Sequence, residues 1–318
     1  MDMYDRQRLK LHRSSCNKVG WFMMIYVGIM YLCVELEPIV MMLIAYLKDP
    51  ILPEEFFSSP LTSEPAEGWG YIAMMLGVVL MLVLWKKPKY IFSTIWQTAR
   101  PLYVRDFIVL LILFTGVQGV SQICLIAAEA VLNGFGYTIM ERLSMVSGGS
   151  DSVPMFIYSA LGAPIIEELM FRGVIMRQLR PAGKNFSIVA SAVLFGLFHG
   201  NLIQIPFAIL VGLVLGYVAT EYSLGWAILL HMFNNMILAD TISRVLPTMT
   251  ANSVAIFLFY GCLALGIVIL ILRRKEVAAY LKENRMPREV RRGALTAAAL
   301  IVFAVAMLLL CLATITPL

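Results

Sequence analysis

The chain has 318 residues, of which 60% are hydrophobic and only 14% charged, with a net charge of +5. A water-soluble domain carries roughly 25% charged residues, so that class is excluded. The small positive excess fits basic cytoplasmic loops that set membrane topology, and no nucleic-acid partner is expected. Several apolar runs approach or exceed the roughly 20 residues that span a bilayer as a helix. Only helices and closed barrels satisfy their backbone groups in lipid, and runs this continuous are not alternating barrel strands. The expected class is all-α: a polytopic helical membrane protein.

The hydropathy pattern predicts about nine spans, near residues 19–46, 69–85, 106–132, 153–180, 185–199, 203–221, 225–240, 252–272 and 295–315. The first follows a basic tail (Arg6, Arg8, Lys10, Arg13, Lys18). With no small-residue cleavage site after it, it is expected to be retained and not removed as a signal peptide. Glu35 and Glu37, just before Pro38, mark a kink or the outer interface, with a cavity or ion path as the alternative. Asp49–Gly68 reads as an acidic loop. Lys86–Asp106 is basic, carries Tyr90, Trp96 and Tyr103, and suits the membrane interface. In the third span Gln118 and Gln122 are four apart and read as helix–helix glue. Gly134–Asp151, with Gly148 and Gly149, reads as a polar connection. Gly196–Gly200 and Gly212–Gly216 have the small-xxx-small spacing that lets helices approach closely. Arg273–Arg292 is the most basic loop. With nine spans, every basic loop falls on one side when the N-terminus is cytoplasmic. The pair of short spans flanking His199 could instead be re-entrant. The five cysteines (Cys16, Cys33, Cys124, Cys262, Cys311) have neither metal-ligand nor disulfide-framework spacing.

One span carries charge at depth. Ile165–Arg180 (IIEELMFRGVIMRQLR) sets two adjacent glutamates and an arginine in an apolar helix. An ionised side chain there costs at least a few kcal/mol unless it is paired or faces a wet cavity. Glu168 and Arg172, four apart, lie on one face and can pair. Glu167 points about 100° away and must face a cavity or a neighbouring helix. A buried ion-pair network serving structure alone is the competing explanation. The chain has three histidines. His12 is in the basic tail, whereas His199 and His231 fall inside spans near the glutamates. Phe195 and His199 share one helix face, as do His231 and Asn235; Asn234 is a possible substitute for Asn235. Counted from Pro181–Lys184, Glu167 and His199 both lie roughly 20 Å deep, whereas His231 lies only about 9 Å from Gly225. Such a set suits hydrolysis. Glu167 would be the general base on water. His199 would orient that water or bind a metal, and His231 and Asn235 would hold an oxyanion. Interhelical hydrogen bonding is the competing account of both histidines.

EELMFR fits E-E-x-x-x-R, FGLFH fits F-x-x-x-H and HMFNN fits H-x-x-x-N. In this order, each in its own apolar span, they resemble the CAAX protease and bacteriocin-processing (CPBP, or Abi) family of intramembrane proteases. The resemblance covers roughly residues 150–245. It implies a core at 151–245 flanked by spans of unassigned role at 1–150 and by spans with a basic loop at 246–318. It implies an intramembrane endopeptidase, multi-pass in the cell membrane, acting on a peptide or protein-tail substrate. Eukaryotic relatives act on prenylated C-terminal tails, and bacterial relatives look tied to bacteriocin or pheromone peptides. The catalytic set would be Glu167, His199, His231 and Asn235, supported by Glu168, Arg172 and Phe195. Members are described both as metalloproteases and as metal-free glutamate proteases. The chain lacks an HExxH helix, yet Glu167, His199 and His231 could form a three-ligand Zn2+ site. A non-catalytic scaffold or bacteriocin-immunity protein using the same cavity, and a proton-coupled transporter, are the competing functions.

Overall fold

The computed structural model describes residues 3–48, 69–140, 153–241 and 248–317. The acidic loop at 49–68, Gly148 and Gly149, and the side chain of Glu37 lie outside the described residues. The chain is a polytopic all-α membrane fold. Among the described residues, five helices are long and apolar enough to cross a bilayer, or up to seven if each of two bent pairs is one span. Two shorter apolar helices accompany them.

In chain order the helices are α1 (Met3–Lys48), α2 (Trp69–Trp85), α3 (Pro88–Phe92) and α4 (Val104–Gly134). Then come α5 (Val153–Ala182), α6 (Lys184–Phe198), α7 (Gln204–Glu221) and α8 (Leu224–Phe233). The last are α9 (Thr248–Leu272), α10 (Arg274–Glu283), α11 (Arg288–Leu295) and α12 (Ala298–Leu312). Each apolar run read from the sequence overlaps one of these helices. α1 begins well before the expected position 19, so the basic tail is helical too. Glu35 on it is exposed. The polypeptide turns by 117° between α2 and the segment Pro88–Trp96, which fits the interfacial character of that basic, aromatic stretch. Most of Arg273–Arg292 is α10 and α11, helices with strongly segregated charged faces and not an open loop. A short antiparallel pair joins β1 (Tyr137–Thr138) to β2 (Thr316–Pro317).

Three packings place the centre of the molecule. α6 and α7 form a tight antiparallel hairpin. At its open end Lys184 Nζ meets Glu221 Oε1 at 2.8 Å, and the Tyr280 hydroxyl of α10 donates to the same oxygen at 2.9 Å. A side chain at Gly196 would collide with the facing helix and one at Gly212 or Gly216 would crowd it, so three of the four glycines in the small-residue spacings pack helix on helix. Gly200 is different: its φ of +63° makes the turn at the hairpin tip, a conformation that strains any residue with a Cβ. Asn201 completes that turn, accepting from Gln204 N at 2.8 Å and donating to His199 O at 3.1 Å. Second, α1 and α12 pair, with Asn17 Oδ1 accepting from Ala299 N at 3.0 Å. Third, α4 seats on α9 through Gly116 and Gly119, where a Cβ would come within 3.0 Å of Cys262 O and Phe259 O respectively. One continuous buried core runs through α1, α2, α5, α6, α7, α8 and α12, including Phe22, Met74, Phe171, Phe195, Leu215 and Phe303.

α5 is not a uniform helix. It passes through π-helical segments at Tyr158–Gly162 and Leu169–Ile175, on either side of the α-helical stretch Ala163–Glu168. π-bulges of this kind shift the face each later residue presents. The two glutamates sit between them.

Candidate active site

The site is built on α5, the α6–α7 hairpin and α8. Glu168 and Arg172 pair within α5 as the four-residue spacing predicts, Nη1 to Oε1 at 2.6 Å, with both side chains fully shielded. Arg172 is held twice more. Its Nη2 donates to Gly212 O at 3.3 Å, and its guanidinium lies 4.5 Å from the centre of the Phe195 ring. Gly212 permits this approach, because a Cβ there would sit 3.2 Å from Arg172 Nη2 and 3.0 Å from Ala192. The charge is thus neutralised by a carboxylate, a backbone carbonyl and an aromatic face, a combination that makes a buried arginine tolerable.

His231 lies on α8 with its ring between the two adjacent carboxylates. Its Nδ1 is 3.0 Å from Glu168 Oε1 and its Nε2 is 3.7 Å from Glu167 Oε2. Glu167 therefore finds its neighbouring helix in α8. Straight-span counting sets His231 too shallow to meet it, but α8 starts directly after α7, capped where Ser223 Oγ accepts from Trp226 N at 3.3 Å. Packed against Ala163–Glu168, it brings the imidazole to the glutamates. The phenols of Tyr26 and Tyr158 also lie within electrostatic range of Glu167. No sequence signal singles those two out, because buried tyrosines are common.

His199 ends α6, at the hairpin tip and not in the middle of a span. Its Nδ1 is 2.8 Å from Phe195 O. A carbonyl only accepts, so Nδ1 carries the hydrogen, and the neutral ring keeps its lone pair on Nε2. Phe195 ties the two histidines together, edge-on to His199 at 4.9 Å and to His231 at 5.7 Å between ring centres.

Asn235 sits one turn beyond His231, in the π-helical segment Asn234–Thr241. Its Nδ2 donates to Ser159 O on α5 at 3.0 Å, and its Oδ1 accepts from Asn234 at 3.0 Å. Asn234 is buried and accepts from Gln118 Nε2 of α4 at 2.6 Å.

Zinc fits this arrangement poorly. Glu167, His199 and His231 do not form a three-ligand set, and among the described residues no group of three His, Cys, Asp or Glu is spaced to hold a metal ion. An apolar groove of about 470 Å³, lined by Trp96, Ile165, Ser223, Trp226, Ile228 and Leu229 among others, flanks the polar cluster without containing it.

Residues 149–237 match the family model for type II CAAX prenyl endopeptidase Rce1-like proteins. The match spans all three motifs and ends two residues after Asn235. No curated protein and no solved structure matches the chain.

Proposed function

We propose that this chain, whose residues 149–237 match the Rce1-like family model, is an intramembrane endopeptidase of the CAAX protease and bacteriocin-processing type that cleaves peptide bonds by glutamate-activated water. The match implies CAAX-type protease activity, so the substrate class is a C-terminal tail held at the membrane by a prenylated cysteine. The single observation that carries the mechanism is the His231 ring set between Glu167 and Glu168.

Each group has a role that follows from its contacts. Arg172 neutralises Glu168, and Glu168 fixes the His231 ring through Nδ1. Glu167 takes a proton from water, helped by the free Nε2 of His199. The resulting hydroxide attacks the scissile carbonyl carbon, and the carbonyl electron pair moves to oxygen. In its protonated form His231 donates from both nitrogens, Nδ1 to Glu168 and Nε2 to that oxyanion. The Asn235 amide supplies a second N–H. Collapse of the tetrahedral intermediate breaks the C–N bond, and Glu167 returns its proton to the leaving amine. No step passes through a metal. The Phe195 ring holds both histidines in register.

In this reading the protein is multi-pass in the cell membrane with its N-terminus cytoplasmic, and substrate enters from the cytoplasmic face or laterally from lipid. The test is to incubate purified protein in proteoliposomes with a peptide ending in a prenylated cysteine tail and identify products by mass spectrometry. Endoproteolytic release of the residues after the cysteine supports the reading. Binding of the peptide without any cleavage would replace it with the scaffold or immunity function.

A further inference from the structure

We propose that Gln118 is a positioning residue for Asn235, acting through Asn234 from outside the family-matched segment. The inference rests on the enzymatic reading above and deepens it. Three amides from two helices form one directional chain. Gln118 Nε2 donates to Asn234 Oδ1 at 2.6 Å, Asn234 Nδ2 donates to Asn235 Oδ1 at 3.0 Å, and Asn235 Nδ2 donates to Ser159 O at 3.0 Å.

The direction of the chain matters more than its existence. An asparagine amide can present either end, and only its nitrogen end can stabilise an oxyanion. Here Asn234 occupies the Asn235 oxygen, which turns the nitrogen outward. That nitrogen carries two hydrogens; Ser159 O takes one and the other is left for the reacting oxygen. If Asn235 flipped, its oxygen would face Ser159 O and its nitrogen would face the Asn234 nitrogen, so both contacts would become repulsive. Ser159 O is a backbone carbonyl that only accepts, so it fixes this polarity; Gln118, donating to the Asn234 oxygen, keeps the Asn234 nitrogen turned to Asn235. The Ser159 carbonyl anchors the chain at one end, and Gln118 completes it at the other.

Helix–helix adhesion alone does not account for this placement. α4 is already seated on α9 through Gly116 and Gly119. Gln122, four residues on along α4, is exposed, whereas Gln118 is half-buried and turned to α8. The contact crosses 116 residues of sequence and joins Gln118, outside residues 149–237, to Asn234 within them.

The experiment measures cleavage of the prenylated peptide in proteoliposomes by wild type, Gln118→Met, Asn234→Leu and the double variant, with Glu167→Gln as the inactive control. Gln118→Met is expected to lower kcat about tenfold, a loss one order smaller than removal of an oxyanion donor itself, with KM unchanged. In the Asn234→Leu background, where the chain is already broken, it is expected to change kcat by less than twofold. Gln118→Asn, one methylene too short to reach Asn234, is expected to match Gln118→Met and replaces it if that variant does not fold. An unchanged kcat in the folded variant, or a tenfold loss that persists in the Asn234→Leu background, overturns the proposal while leaving the protease reading intact. A wild type that does not cleave, or a Glu167→Gln variant that does, overturns both.

Discussion

Replacing Arg172 with methionine removes one half of a fully shielded ion pair and leaves the Glu168 carboxylate facing His231 alone. Both side chains of that pair have 0% exposure and meet at 2.6 Å, so solvent screening does not discount the loss. Breaking a buried pair from one side costs about 3–5 kcal/mol, because the surviving charge stays desolvated. The hydrogen bond to Gly212 O and the contact with the Phe195 ring go at the same time and fall within that range. Unfolding free energy measured in bicelles or detergent, with membrane abundance alongside, reads the effect. The diagnostic comparison is Glu168→Gln/Arg172→Met, which removes both charges yet keeps an acceptor for His231 Nδ1. It is expected to recover at least about 2 kcal/mol of the single-variant loss, since an apolar or neutral replacement of both partners is tolerated far better than a stranded charge. A single variant that loses less than about 1 kcal/mol, or a double variant no more stable than the single, would refute the account of Arg172 as the counter-charge of the cluster.

Other variants probe the chemistry. His199→Ala is expected to lower kcat by about 10²–10⁴ with normal folding, checked by peptide cleavage and thermal unfolding; a loss under tenfold would remove His199 from water activation. Asn235→Ala should cost about 10²–10³ in kcat, and an effect confined to KM would assign the residue to substrate binding instead. Cleavage should survive a chelator that strips adventitious zinc, as verified by elemental analysis, and inhibition reversed specifically by zinc would contradict the donor geometry described above. Glu35→Gln should leave cleavage unchanged, because Glu35 is exposed on α1; a proton flux lost in that variant would favour a transporter.

Much of the site was readable one helix at a time. The spacing of Glu168 and Arg172 predicts their pairing because residues four apart share a helix face, and the pairing is there. The requirement that Glu167 find a partner on another helix follows from the cost of a lone carboxylate in lipid. Which helix supplies it does not follow. Counting at 1.5 Å per residue treats the spans as straight and parallel, whereas α5 contains two π segments and α8 begins at a sharp turn after α7. His199 was legible as the last residue of its span, whereas the turn that follows it rests on the positive φ at Gly200. Gln118 reads only as glue, and Asn234 only as a substitute for Asn235, because sequence spacing carries no information about the direction of an amide. The apolar helices themselves were legible because lipid leaves the backbone no alternative to helix, while helices α10 and α11 were hidden by their charge.

The account depends most on Glu167 being the group that accepts the proton from water. Peptide cleavage by wild type and Glu167→Gln, reconstituted at equal amounts and shown to have the same thermal unfolding profile, tests this directly. The expected result is cleavage by wild type and a loss of at least about 10³-fold in the variant, since the amide is isosteric but cannot accept the proton. Cleavage by the folded Glu167→Gln protein within tenfold of wild type would contradict it.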